Sequence, residues 1–124
     1  MKRNILESWL LLVYFDWLMK FREFSELYTV VRKTAVRPAG APPGLEAEVS
    51  RAVDLACVFY FKRVLCLQRS AALTVLLRRR GIDGEMVIGV QPFPFLSHAW
   101  VEVAGRVVND KPYVSQIFQT LERC

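Results

Sequence analysis

Two residues in this 124-residue chain could together carry out covalent chemistry: Cys66, in Cys66-Leu67-Gln68-Arg69-Ser70, and His98, in Ser97-His98-Ala99-Trp100-Val101-Glu102. His98 is the sole histidine of the sequence and follows Cys66 by thirty-two positions. A thiol attacks carbonyl carbon usefully only as the thiolate, and a helix N-terminus and a neighbouring imidazole are the two standard means of generating one. Cys66 stands at what reads as a helix start, where backbone N–H groups could also face an oxyanion forming on an attacked carbonyl. The bland reading of His98 is a half-buried, hydrogen-bonded strand residue. The bland reading of Cys57, on an apolar helix face, is a small buried hydrophobe. Gln68 could add an oxyanion donor or could be a surface residue, and is left unassigned.

A catalytic imidazole needs a third group to fix its tautomer. Asp110 is the nearest acid downstream of the His98–Glu102 run, and Asn109 lies beside it. Which of them shares a face with His98 depends on hairpin register, because opposed residues in an antiparallel pair point to one side and their numbers share a constant sum. A two-residue Ala104-Gly105 turn gives a sum of about 209, sends Asp110 to the wrong face and puts Asn109 on that of His98. A three-residue loop, Val103-Ala104-Gly105, gives about 208, pairs His98 with Asp110 and opposes Glu102 to Arg106. The second register is favoured, since both pairings are electrostatically favourable.

The elements that must position these groups are read from periodicity. Ile5, Leu6, Trp9, Val13, Trp17, Phe21, Phe24 and Tyr28 recur at helical spacing, predicting one or two helices. Seven of the fifteen aromatic residues fall in the first 36 positions, more apolar surface than one contact needs, so this segment is expected to be a helical pair packed on the rest or a docking segment. Residues 37–44 hold three prolines and two glycines and read as a connector. Residues 45–124 form the expected catalytic core. Leu45, Val49, Ala52, Val53, Ala56 and Tyr60 mark one helix. A second runs from Cys66 or Leu67 to Arg80, with Arg78-Arg79-Arg80 as a solvated basic end. From Gly84 the period becomes two, predicting a strand through Val90, a Pro-rich loop, then strands at 98–103 and 106–109. Helices first and an antiparallel sheet after give an α+β fold.

Composition narrows the function classes. The chain is rich enough in apolar residues for a folded domain, and its net charge of +5 suits either an acidic partner or a solvated basic surface. No nucleic-acid-binding motif accompanies the charge, so nucleic acid is not an expected partner. Three cysteines without a C-x-x-C pair, and one histidine, argue against a disulfide framework and against a metal site, and no cofactor motif is present. Free thiols point to the cytoplasm. The apolar run near the N-terminus, between Glu7 and Asp16, is too short to form a transmembrane segment.

Cys66-Leu67 followed by Arg69-Ser70, then Gly89-Val90, His98-Ala99-Trp100-Val101-Glu102 and Asp110 resemble the lasso-peptide leader peptidases, small bacterial transglutaminase-like cysteine proteases. The likeness covers Tyr60 to about Tyr113. It implies a transglutaminase-like, papain-like core that removes the leader peptide from a ribosomally made precursor during antibiotic biosynthesis. Cys66 matches the nucleophile, His98 the base and Asp110 the orienting acid. It further implies a separate leader-binding RiPP recognition element as partner, and an ATP-dependent lasso cyclase that takes the freed core amine. The alternative is a catalytically silent transglutaminase-like adaptor, in which Cys66 is only structural.

Overall fold

A computed structural model describes residues 2–38, 41–92 and 95–124. Four helices precede the sheet: α1 (Lys2–Phe21), α2 (Phe24–Lys33), α3 (Leu45–Phe59) and α4 (Cys66–Arg79). They are followed by β1 (Gly84–Gln91), β2 (Leu96–Val103), β3 (Arg106–Val107), the single-turn α5 (Val114–Ile117) and β4 (Gln119–Arg123). The antiparallel sheet has the order β3-β2-β1-β4, and α4 lies against β1 and β2. The α+β expectation holds, whereas α5 and β4 had no clear signal in the sequence. Of the expected connector, residues 39–40 lie outside the described set, and so do residues 93–94 of the Pro-rich loop.

One core joins all four long helices to the sheet. Leu12 and Phe15 of α1, Leu27 and Val31 of α2, Val53 of α3, Leu73 and Leu76 of α4, and Met86 and Val101 of the sheet are buried in a single apolar cluster. Burying such side chains contributes roughly 1.5–3 kcal/mol each, so α1 is bound to the core through its Leu11, Leu12, Phe15 and Leu18 stripe. Of the stripe read from the sequence, Ile5, Trp9 and Val13 are partly buried against this core, whereas Leu6, Trp17 and Phe21 are exposed. Leu6, Leu10, Tyr14, Trp17 and Phe21 form a second apolar line along α1 that stays exposed.

Polar ties lock α1 onto the helices behind it. Gln68 is buried; its Nε2 donates to the Leu12 carbonyl at 2.7 Å and its Oε1 accepts the Leu65 N–H at 3.3 Å. The Tyr60 hydroxyl donates to Asp16 at 2.8 Å. Burial and the Asp16 carboxylate together push that phenol up to about 12. The arginine triplet is not a solvated helix end. Arg78 is buried and donates to the carbonyls of Gly84 (2.9 Å), Thr34 (3.3 Å) and Cys124 (2.8 Å), and to that of Val31, so one guanidinium gathers α2, β1 and the end of β4. Arg79 and Arg80 pair with Glu7 of α1.

The hairpin takes the register that the sequence reading disfavoured. Glu102 pairs with Val107 and Val103 with Arg106, across a two-residue turn in which Ala104 and Gly105 have φ of 52° and 78°. Two successive positive φ values are the geometry that matches strand twist in a two-residue hairpin, and this outweighs a Glu102–Arg106 pairing. The two charges find partners elsewhere: Arg106 pairs with Glu46 of α3 at 3.1 Å, and Glu102 accepts from Trp100 Nε1 at 2.9 Å and from Arg123 at 3.1 Å. Arg123 also reaches Glu85 at 2.7 Å, neutralising the like-charged pair Glu85–Glu102 that faces it across β1 and β2.

Candidate active site

Cys66 is the first residue of α4, exposed, with Leu65 as an extended N-cap. The thiol therefore stands at the positive end of a helix dipole, and the start of the helix is braced by the Gln68 bond to the Leu65 N–H. Gln68 is thereby assigned: its amide is engaged with backbone groups in the interior and does not face solvent beside the thiol. Burial raises the thiols of Cys57 and Cys124 above the ordinary range, which leaves them poor nucleophiles.

His98 lies on β2 opposite Gly89. Its ring packs on Phe118 with centroids 5.4 Å apart and lies 6.2 Å from the ring of Trp100. Trp100 is fully buried and anchored by its bond to Glu102, so the His-Ala-Trp-Val-Glu run is one structural unit in which Glu102 holds Trp100 and Trp100 backs the imidazole. Gly89 makes room for it. A Cβ built there would lie 2.7 Å from Trp100 Cη2 and 2.8 Å from Phe118 Cβ, closer than side chains tolerate. Glycine inside a strand often marks such a close approach, so Gly89 carried a signal in the sequence; Phe118 carried none.

Asp110 reaches His98 even though the register was expected to forbid it. The alternation argument fails because β3 ends at Val107. Val108 N–H still donates to the Val101 carbonyl at 3.0 Å, but the Val101 N–H turns to Asn109 Oδ1 at 2.8 Å instead of a backbone carbonyl. The chain peels away from β2 there, and Asp110 Oδ2 meets His98 Nε2. Burial alone would raise the Asp110 carboxyl. The bonds from His98 and the Lys111 N–H, with the nearby charges of His98 and Arg69, outweigh it and hold the group below its ordinary range. An ionised Asp110 accepts the Nε2 proton, which leaves Nδ1 as the nitrogen with a free lone pair. Asn109 Nδ2 donates to Ser70 Oγ of α4 at 3.4 Å.

Cys66 and His98 line one cavity of about 220 Å³, walled by Tyr28, Leu67, Ile88, Val90, Phe95 and Leu121. No direct hydrogen bond joins the thiol to the ring. A second cavity of about 210 Å³ lies on the Asp110 side, between His98, Tyr113 and Phe118. Among the described residues no cluster of three or more His, Cys, Asp or Glu is placed to hold a metal ion, and no helix is long and apolar enough to cross a membrane.

A thiol at a helix N-terminus, an imidazole on a following strand and a carboxylate on its far nitrogen lie within a helix-then-sheet fold, and the Transglutaminase-like superfamily model matches residues 9–123; the chain belongs to that superfamily. Over 47 residues, 38% of the chain, it is 55% identical to the Microcin J25-processing protein McjB of Escherichia coli. The aligned stretch spans only 23% of that protein's length. No solved structure matches the chain.

Proposed function

We propose that this chain is a cysteine peptidase that removes the leader from a ribosomally synthesised lasso-peptide precursor, with Cys66 as nucleophile, His98 as base and Asp110 as orienting acid. The observation that carries the reading is the position of His98, with one ring nitrogen held by an ionised carboxylate and the ring lining the cavity of an exposed helix-start cysteine. The likeness to a protein named for processing microcin J25 supports the substrate class.

In this reading Nδ1 of His98 takes the Cys66 proton as substrate closes the gap between them, since such contacts tighten on binding. The thiolate adds to the scissile carbonyl, and backbone N–H groups at the start of α4 stabilise the oxyanion. The intermediate collapses as the imidazolium gives its proton to the departing amine of the core peptide, leaving the leader as a thioester on Cys66. His98 then takes a proton from water, which attacks the thioester and frees the leader acid and the thiol. Asp110 keeps the tautomer and offsets the imidazolium charge in both halves. A separate leader-binding protein delivers the precursor in the cytoplasm, and an ATP-dependent cyclase consumes the core amine.

Labelling with iodoacetamide near neutral pH separates this reading from a silent adaptor. Cys66 should be alkylated faster than the less exposed Cys57 and Cys124 by a factor of about ten or more, and His98→Ala should slow the labelling of Cys66 itself several-fold. Equal labelling of Cys66 in wild type and His98→Ala would favour the adaptor.

A further inference from the structure

The mechanism above accounts for the reacting atoms but leaves the cavity beside Cys66 and His98 without a task. Ile88 pairs with Ala99 and Val90 with Ser97, so these four share one sheet face and form the cavity floor. Ile88 and Ala99 belong to the main core, which therefore opens to the surface at the nucleophile. Tyr28 of α2 and Leu67 of α4 add walls, both partly buried against that core. The last wall, Leu121 of β4, is placed by an irregularity in the ladder. Ile88 pairs with Glu122 and Gly89 with Thr120, so two residues of β1 face three of β4 and Leu121 is left over. A bulge of this kind breaks alternation and re-aims a side chain, often next to an active site. Here it lies one strand from His98, since Gly89 pairs with Thr120 on one side and with His98 on the other. Leu121 is the sole apolar residue of β4 and is 68% exposed, and Phe95, which lines the same cavity, is 73% exposed. Bare apolar side chains gathered around a cavity that holds a nucleophile mark a ligand groove.

We propose that Leu121 is a specificity-determining residue: set out of the ladder by the bulge, it completes a pocket that holds an apolar side chain from one of the last two residues of the leader. This rests on the peptidase reading. The side of the scissile bond follows from the chemistry. The leader stays on Sγ as the thioester while the core amine departs, so walls shared with Cys66 and its neighbour Leu67 meet the leader. An apolar side chain seated there exchanges water for the aliphatic surface of Leu67, Ile88, Val90 and Leu121. Among the described residues, the Tyr28 phenol is the one ionisable group in the lining besides Cys66 and His98. A lysine in the pocket would therefore lose its hydration without a carboxylate to replace it, and such leaders are selected against.

The test uses a full-length lasso precursor presented with its leader-binding protein. Each of the last two leader residues is set in turn to leucine or lysine, and the ratio of kcat/KM for the two is read. A ratio taken within one enzyme cancels any effect of a substitution on the nucleophile itself. For the wild-type chain it should favour leucine by about tenfold or more at one of the two positions. In Leu121→Asp that ratio should fall by about tenfold or more, because the new carboxylate accepts the lysine, while the ratio at the other position stays within about twofold. Leu121→Ser, which only removes the wall, should lower the ratio by about threefold and is the second variant should the first fail to fold. An unchanged ratio in either folded variant overturns the proposal, and so does a wild-type chain that is indifferent at both positions. Failure of both variants to fold would make Leu121 a prop of β4 and overturn it too. If the wild-type chain cleaves none of the precursors, the peptidase reading fails and the pocket falls with it. Cleavage with ratios that ignore Leu121 refutes only the pocket.

Discussion

Asn109 accepts the Val101 N–H through its side chain, 2.8 Å from Oδ1, at the point where a strand carbonyl would otherwise complete the β2–β3 ladder. This one substitution of side chain for backbone ends β3, frees the next residue from strand alternation and lets Asp110 reach His98. The neighbours thus have separate tasks, one shaping the chain and the other touching the ring.

Their substitution should separate those tasks. Asp110→Ala should lower precursor cleavage by about 10³-fold or more while leaving the fold intact, because the imidazole loses both its tautomer and its counter-charge. Asn109→Ala removes the acceptor of the Val101 N–H and should cost about 1–3 kcal/mol of stability, with the smaller loss of cleavage. Unfolding in urea and single-turnover cleavage measure the two effects, and the reverse ranking would make Asn109 the orienting residue.

Gly89 and Trp100 give a second test. In Gly89→Ala the added methyl cannot be accommodated between the indole and Phe118, so both must shift and His98 with them. Stability should fall by about 1–3 kcal/mol, the range for overpacking, and iodoacetamide labelling of Cys66 should slow in the folded variant. Unchanged labelling would show that the aromatic backing of His98 does not govern the thiol.

Acid should weaken the fold in a defined window. Asp16 and Asp110, ordinarily near 3.8, and Glu7, ordinarily near 4.5, are each held lower despite burial, by hydrogen bonds and charges from Lys62 and Tyr60, from His98 and the Lys111 N–H, and from Arg80 and Arg79. A carboxyl with a depressed folded pKa contributes stability that is fully present above its unfolded value and is lost as pH falls through the folded one. The urea midpoint should therefore hold steady above about pH 5 and decline below about pH 4, and Asp16→Asn should flatten the decline. A midpoint that rises on acidification would contradict these directions.

Much of this arrangement was legible in the sequence, and the remainder was not, for physical reasons. Helical periodicity and the Pro/Gly run marked α3 and the start of α4 at Cys66, since those signals are local. The register was misjudged because the Glu102–Arg106 attraction was considered without Glu46, Trp100 and Arg123, which the fold brings from other elements. Arg78 and Gln68 look like surface residues in a linear reading, and only the docking of α1, α2 and β4 around α4 buries them. Strand β4 carries Gln, Glu and Arg among its five residues, a pattern too polar to stand out from a terminal coil.

The exposed line of Leu6, Leu10, Tyr14, Trp17 and Phe21 on α1 bears on the proposed partner. Trp17→Ser with Phe21→Ser should leave Cys66 labelling within about twofold of wild type, because neither side chain is part of the core, yet lower cleavage that depends on the leader-binding protein. Parallel loss of labelling and cleavage would show that this face supports the fold, and unchanged cleavage would place the partner elsewhere.

The most direct test of the account is mass spectrometry of a full-length lasso precursor incubated with its leader-binding protein and either the wild-type chain or Cys66→Ala shown to be folded by circular dichroism. The account predicts a free leader and a core with a new amino terminus from the wild-type chain, and intact precursor from Cys66→Ala. Cleavage at the same bond by the folded Cys66→Ala chain would contradict it.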